Sequence, residues 1–241
     1  MIKFEQYLNE NNDLDKQLVK ASETGDLDLV KELIDQGANI HADNDQALRW
    51  ASEYDHLDVV KYLIGKGANI HAENDEALRL ASYYGYLEIV KYLLNKGADI
   101  HADNDDTLRI ASYYGHLDMV KYLISKGADI HANNDLALRS ASNNGQLEIV
   151  KYLISKGADI HADNDKALRS ASSNGHLEIV KYLILKGSNI PKEMNIPKDV
   201  QEIAIKNDVK NIKYIKNLRP DLKEKHKHLL KGSGFGLFED E

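Results

Sequence analysis

The 241-residue chain contains no cysteine. That excludes disulfides and thiolate metal sites and fits a reducing compartment. Proline is nearly absent as well, with the only three at 191, 197 and 220. No apolar run approaches the roughly 20 residues that a bilayer-spanning helix needs. The opening stretch, MIKFEQYLNENNDLDK, lacks the apolar core and small-residue cleavage site of a secretory signal. The expectation is a cytoplasmic protein with no membrane association, with the nucleus left open.

Positive charge is scarce over most of the chain. The net charge is −8, and residues 1–191 hold 20 Lys/Arg against 30 Asp/Glu. Residues 192–231 reverse the balance with 11 basic and 6 acidic side chains, and the chain ends Glu239-Asp240-Glu241. An acidic surface repels phosphate backbones, so nucleic acid is not the expected partner of the acidic part. The basic stretch reads first as a solvated lysine-rich helix surface.

What is present in quantity is repetition. The phrase KGADIHADND-x-ALR-x-AS-x-x-G-x-LEIVKYLI returns with a period of 30 residues. Gly37, Gly67, Gly97, Gly127, Gly157 and Gly187 mark one register, and Gly25, Gly85, Gly115, Gly145 and Gly175 a second, with Asp55 in the sixth place. Units this short cannot bury an apolar face alone and must stack in a row. A row of units presents a long surface suited to a macromolecular partner.

One unit, residues 45–67, can be read through. Asp45 suits a helix N-cap, and Ala47, Leu48 and Ala51 then share one helical face. Asp55 or its glycine counterpart ends the first helix, since both accept a left-handed backbone. Leu57, Val60 and Ile64, widened by Val59 and Leu63, form the inner stripe of a second helix closed by Gly67. Residues 68–74 return to the next unit. The acidic residue and the arginine of each unit, as in Asp75 and Arg79, stand one helical turn apart and are expected to pair.

In A-S-x-x-G, L-E-I-V-K-Y-L and G-A-D-I, in this order and spacing over residues 13–190, the chain resembles the ankyrin repeat. The resemblance implies an all-α, ankyrin-type helical repeat solenoid and a protein partner bound on the concave face. Two departures stand out. The ankyrin unit has 33 residues and T-P-L-H at its first helix; here the matching strings are Ala47-Leu48-Arg49, Ala77-Leu78-Arg79, Thr107-Leu108-Arg109, Ala137-Leu138-Arg139 and Ala167-Leu168-Arg169. The three missing residues fall where ankyrin units carry a hairpin finger, so shortened inter-repeat loops without paired strands are expected. Thirty-residue units of this wording resemble the large ankyrin families of giant amoeba-infecting DNA viruses, which would place the protein in host cytoplasm.

The pattern divides the chain into a lead-in (1–12), the repeat array (13–190), a degenerate capping repeat (191–220), and a basic segment with a flexible acidic tail (221–241). Glu32 replaces the tyrosine of later units, as a solvent-facing cap would require. At the far end Pro191 and Pro197 break the loop, Asn207 and Asn211 interrupt the pattern, and Pro220 stops the helix. Seven helix pairs are expected.

Candidate chemistry dissolves on inspection. His41, His71, His101, His131 and His161 recur once per unit, and neighbouring helices about 8–10 Å apart cannot bring them within the roughly 2 Å a metal requires. They read as loop residues, and His226 with His228 as incidental. The Asp-Asn-Asp runs lack the ligand spacing of a calcium loop. Gly232, Gly234 and Gly236 have neither a preceding strand nor a following Lys-Ser/Thr. No catalytic residue, metal ligand or cofactor site is expected, and the chain reads as a non-enzymatic monomer.

The informative positions are those where the units differ, because packing leaves them free. The x-x pair of A-S-x-x-G runs Glu53-Tyr54, Tyr83-Tyr84, Tyr113-Tyr114, Asn143-Asn144, Ser173-Asn174. Three residues before each pair the series is Trp50, Leu80, Ile110, Ser140, Ser170. Both series turn from aromatic or apolar to polar. Trp50, Tyr54, Tyr83, Tyr84, Tyr113 and Tyr114 are therefore the expected partner-binding residues, since aromatic clusters concentrate binding energy. The competing reading is packing between units, which is also the expected role of Tyr62 and its equivalents. A second expectation is an adaptor whose C-terminal segment docks another component, such as ubiquitin-ligase machinery.

Overall fold

A computed structural model describes residues 2–190, 198–207 and 220–225. Every regular element among the described residues is a helix. They run α1 (Ile2–Thr24), α2 (Leu27–Asp35), α3 (Ala42–Glu53), α4 (Leu57–Gly65), α5 (Ala72–Tyr84), α6 (Leu87–Asn95), α7 (Ala102–Tyr114) and α8 (Leu117–Ser125). They continue as α9 (Ala132–Asn143), α10 (Leu147–Ser155), α11 (Ala162–Ser173), α12 (Leu177–Leu185), α13 (Lys198–Asn207) and α14 (Pro220–Lys225). Two compact units result, Met1–Asp129 and Ile130–Glu241. Each is a stretch of ankyrin-type solenoid with shortened loops.

In the first unit α1, α3, α5 and α7 lie side by side, and α2, α4 and α6 form a second row, each packed on its own first helix. In the second unit α9 packs on α11, α10 on α12, and α13 closes on α12. The cause is compositional. Ala51, Ala81, Ala141 and Ala171 are fully buried and let first helices approach closely, while Val60, Leu63, Val90 and Leu93 fill the space between the rows. Burying one such valine or leucine contributes roughly 1.5–3 kcal/mol. The serines after Ala51, Ala81 and Ala111 turn inward: Ser52, Ser82 and Ser112 donate to the carbonyls of Leu48, Leu78 and Leu108 at 2.7–2.8 Å.

Six of the seven expected helix pairs lie within the described residues, with α13 supplying the first helix of the seventh. Its second helix falls outside the described residues, as do His226, His228 and the glycines of the tail. Glu32 is exposed, as a cap requires, and accepts from Gln36. α14 is joined to α13 by Lys225, whose ammonium donates to Glu202 at 2.8 Å and holds that carboxyl below its usual range.

The loop that replaces the ankyrin finger is built differently from expectation. In five units three successive residues are left-handed: Asp43-Asn44-Asp45 has φ of 49°, 57° and 57°, and Glu73-Asn74-Asp75, Asp103-Asn104-Asp105, Asn133-Asn134-Asp135 and Asp163-Asn164-Asp165 repeat it. Left-handed backbone costs about 1–2 kcal/mol for most residues, and Asn and Asp tolerate it best. The Asp-Asn-Asp wording is thus a backbone requirement. Asp45 is not the helix N-cap its position suggested. Its carboxylate is buried and accepts the Asn69 N–H of the following unit at 2.6 Å. Asp75 and Asp105 do the same for the Asp99 and Asp129 N–H groups at 2.8 Å, and Asp15 in α1 for that of Asn39 at 2.6 Å.

Three of the arginines also depart from expectation, while Arg109 pairs on its own helix, with Asp106. Arg79 does not pair with Asp75 on its own helix. It pairs with Asp103 of the next unit, as Arg49 does with Glu76 and, at 2.9 Å, Arg139 with Asp163. The same guanidinium groups donate to carbonyls of the left-handed run, Arg49 to Asp43 and Asn44, and Arg139 to Asn133 and Asn134. One side chain thus offsets the strained turn and ties it to its neighbour.

Candidate functional site

The C-terminal ends of α3, α5 and α7 bring the first unit's tyrosines to one surface. Each helix must stop at the same register, because Asp55, Gly85 and Gly115 follow with φ of 65°, 86° and 87°. The pair of residues before each stop therefore faces outward side by side. Tyr83 and Tyr114 approach across units, with ring centroids 4.2 Å apart. Tyr83 meets Tyr84 at 4.7 Å, and Tyr113 meets Tyr114 at 4.8 Å. Tyr83, Tyr84 and Tyr114 remain 40%, 44% and 40% exposed, too open for core side chains.

Tyr54 is exposed and Trp50 half-buried, and neither makes a ring contact among the described residues. It is the residue beside Tyr54 that reaches the group: the Tyr84 hydroxyl donates to Glu53 at 3.2 Å. Two members escaped sequence reading. Tyr86 stacks on Tyr84 with centroids 5.8 Å apart, and His116 lies against Tyr114 at 6.4 Å. Their signal is weak, because the residue after the second-register glycine varies as Tyr86, His116, Gln146, His176 without an evident rule. His116 also braces the surface, its Nε2–H donating to the Tyr83 carbonyl at 2.9 Å.

Two of the phenols are raised above the ordinary tyrosine value. A hydrogen bond with Tyr83, and then burial, push the Tyr114 hydroxyl up to about 12. Burial and then the Glu53 carboxylate raise that of Tyr84. The Glu53 carboxylate meets the group at the Tyr84 hydroxyl, and the Arg109 guanidinium acts electrostatically on Tyr114 in the opposite sense.

The matching positions of the second unit are polar and satisfy themselves. Asn174 donates to both oxygens of Asn143 at 2.9 Å, Asn144 to the Ser140 carbonyl at 2.9 Å, and Ser173 to the Arg169 carbonyl at 2.9 Å. Tyrosines at the second-helix position have another use. Lys61 lies over the Tyr92 ring and Lys91 over Tyr122, at 5.9 and 6.0 Å, tying adjacent units together.

The histidine ladder holds loops. Nδ1–H of His41, His71, His101, His131 and His161 donates to the buried aspartate four residues on, at 2.9–3.2 Å. No group of three or more metal-ligating side chains occurs among the described residues. The Asp105 hydrogen bond holds His101 above the ordinary imidazole value, partly countered by desolvation. A raised folded-state pKa means that the stability this contact contributes is fully present below the unfolded value of about 6.5 and is lost as pH rises through the folded one. An NMR titration of His101 should place its midpoint above 6.5, and Asp105→Asn should bring it down. A midpoint at or below 6.5 in the parent chain contradicts the contact.

A family model described as ankyrin repeats, in three copies, matches residues 18–104, 68–134 and 108–194. No curated protein matches the chain. No described helix is long and apolar enough to cross a membrane.

Proposed function

Because this chain belongs to the ankyrin-repeat family, whose units generally serve protein–protein interaction, we propose that it recognises a partner protein through the tyrosine surface of α3, α5 and α7. The supporting observation is the mutual contact of Tyr83, Tyr84, Tyr113 and Tyr114 while three of them stay open to solvent. Tyr54 and Trp50 form the flank of this surface. Tyrosine suits the task because it presents large apolar area and a polar tip at a low entropic cost. The chain acts as a monomeric, non-enzymatic recognition module, and its acidic charge disfavours nucleic acid.

A photo-crosslinking residue in place of Tyr114 tests this. It should trap a protein partner that the same residue in place of Asn144 does not trap. Equal trapping at both positions, or trapping at 144 alone, moves the binding surface elsewhere.

An adaptor role is a second reading, favoured by the basic balance of residues 192–231, 11 Lys/Arg to 6 Asp/Glu. It requires two proteins to be held at once. Trapping by the full chain from position 114 and from a position within 221–231 should then identify different proteins.

A further inference from the structure

Tyrosine rings elsewhere in this chain already show what they accept. Tyr62, Tyr92, Tyr122, Tyr152 and Tyr182, all on second helices, each lie beneath a lysine ammonium 5.4–6.0 Å from the ring centre. Among the described residues no lysine or arginine lies over Tyr54, Tyr83, Tyr84 or Tyr114 in the same way. The arginines of the first helices are committed: Arg49 to Glu76, Arg79 to Asp103 and Arg109 to Asp106. Glu53, at the edge of the rings, receives the Tyr84 hydroxyl and forms no ion pair among the described residues. The unit that carries the rings is net negative, for residues 1–129 hold 13 Lys/Arg against 24 Asp/Glu, a balance of −11.

Exposed rings, a carboxylate that forms no ion pair among the described residues and a net negative unit are together complementary to one chemistry. We propose that this surface binds a lysine- or arginine-rich segment of the partner protein, its cations over Tyr83, Tyr84 and Tyr114 and against Glu53. This rests on the tyrosine surface being the recognition surface, and it specifies what is recognised. A cation over an aromatic face gains about 0.5–1 kcal/mol when exposed and about 2 or more when desolvated, and the acidic surround accelerates its encounter. Three first helices, each about 8–10 Å from the next, give a surface about 16–20 Å long. At about 3.3 Å per residue that matches an extended segment of about six residues.

The test uses the full chain and three eight-residue probes: alternating lysine and serine, glutamate and serine, and leucine and serine. Binding is followed by NMR of the tyrosine rings at about physiological salt. The lysine peptide should shift the ring signals of Tyr83, Tyr84 and Tyr114, and the glutamate peptide should not. Replacing Tyr83 and Tyr114 with leucine should weaken the lysine peptide about tenfold, the equivalent of about 1.4 kcal/mol. Replacing both with phenylalanine keeps the ring faces and should change binding by no more than about threefold. Glu53→Gln should weaken binding, and Asp28→Asn on α2 should not.

Two results overturn the cationic choice yet leave the tyrosine surface standing: stronger ring shifts with the leucine or glutamate peptide, or leucine variants that bind the lysine peptide as well as the parent. If no peptide moves any ring, the cationic choice also falls, and crosslinking at position 114 judges the surface separately. If the lysine peptide binds with the rings unmoved, and Asp28→Asn weakens it as much as Glu53→Gln, the attraction is diffuse and the proposal is wrong.

Discussion

Gly85→Val is expected to destabilise the chain by about 2–3 kcal/mol, the sum of separable costs. The residue sits at φ +86°, where a β-branched side chain pays about 1–2 kcal/mol or more. A Cβ there would lie 2.7 Å from the His116 ring, so the imidazole must move and its bond to the Tyr83 carbonyl is lost, a further cost of about 1 kcal/mol. The first unit contains its own comparison. Asp55 holds the same left-handed corner at φ 65°, and the residue 31 positions on from it is Tyr86, where Gly85 has His116. The histidine therefore makes glycine obligatory at residue 85, beyond the backbone angle alone. Gly85→Asn, which tolerates the angle, should still destabilise, and adding His116→Ala should recover much of the loss. Urea unfolding of the single and double variants measures this coupling. If Gly85→Val melts with the parent, the corner is not as described.

Helix pairs, their spacing and the shortened loop were legible in the sequence because each follows from period and residue type inside one 30-residue unit. What lay between units was not. Asp45 satisfies the composition rule for an N-cap and also that for a left-handed residue, and only the buried bond to Asn69, 24 positions away, separates the two. Arg79 has an acidic residue at helical spacing on its own helix, so local reasoning assigns the wrong carboxylate; Asp103 is closer in space. The candidate site divides in the same way. The tyrosine pairs could be read as a series that packing leaves free. The contact of Tyr83 with Tyr114, the brace from His116 and the bridge from Tyr84 to Glu53 depend on register between units, which no single unit encodes. Trp50 belongs to a column that continues as half-buried Leu80 and buried Ile110, so it has a packing role open to it as well.

Replacing Tyr83, Tyr84, Tyr113 and Tyr114 together with alanine is expected to abolish capture of the partner and leave the helices intact. The two quantities separate because the rings are placed so differently with respect to each. For stability, three of the four rings are at least 40% exposed, and what folding loses is part of their area and ring contacts worth about 0.5–1.5 kcal/mol each. Alanine, the strongest helix former, returns a fraction of that at the ends of α5 and α7. For binding, central aromatics cost about 2 kcal/mol or more each on truncation, and several lost together exceed a hundredfold in affinity. The control replaces Asn143, Asn144, Ser173 and Asn174 with alanine, removing polar side chains at the matching positions of the second unit. The decisive measurement is partner affinity for both variants beside their circular dichroism melts. A tyrosine variant that melts within a few degrees of the parent and no longer holds the partner, with the control binding normally, is the result expected. A tyrosine variant that unfolds, or that keeps its partner while the control loses it, contradicts the assignment and makes these rings part of the packing.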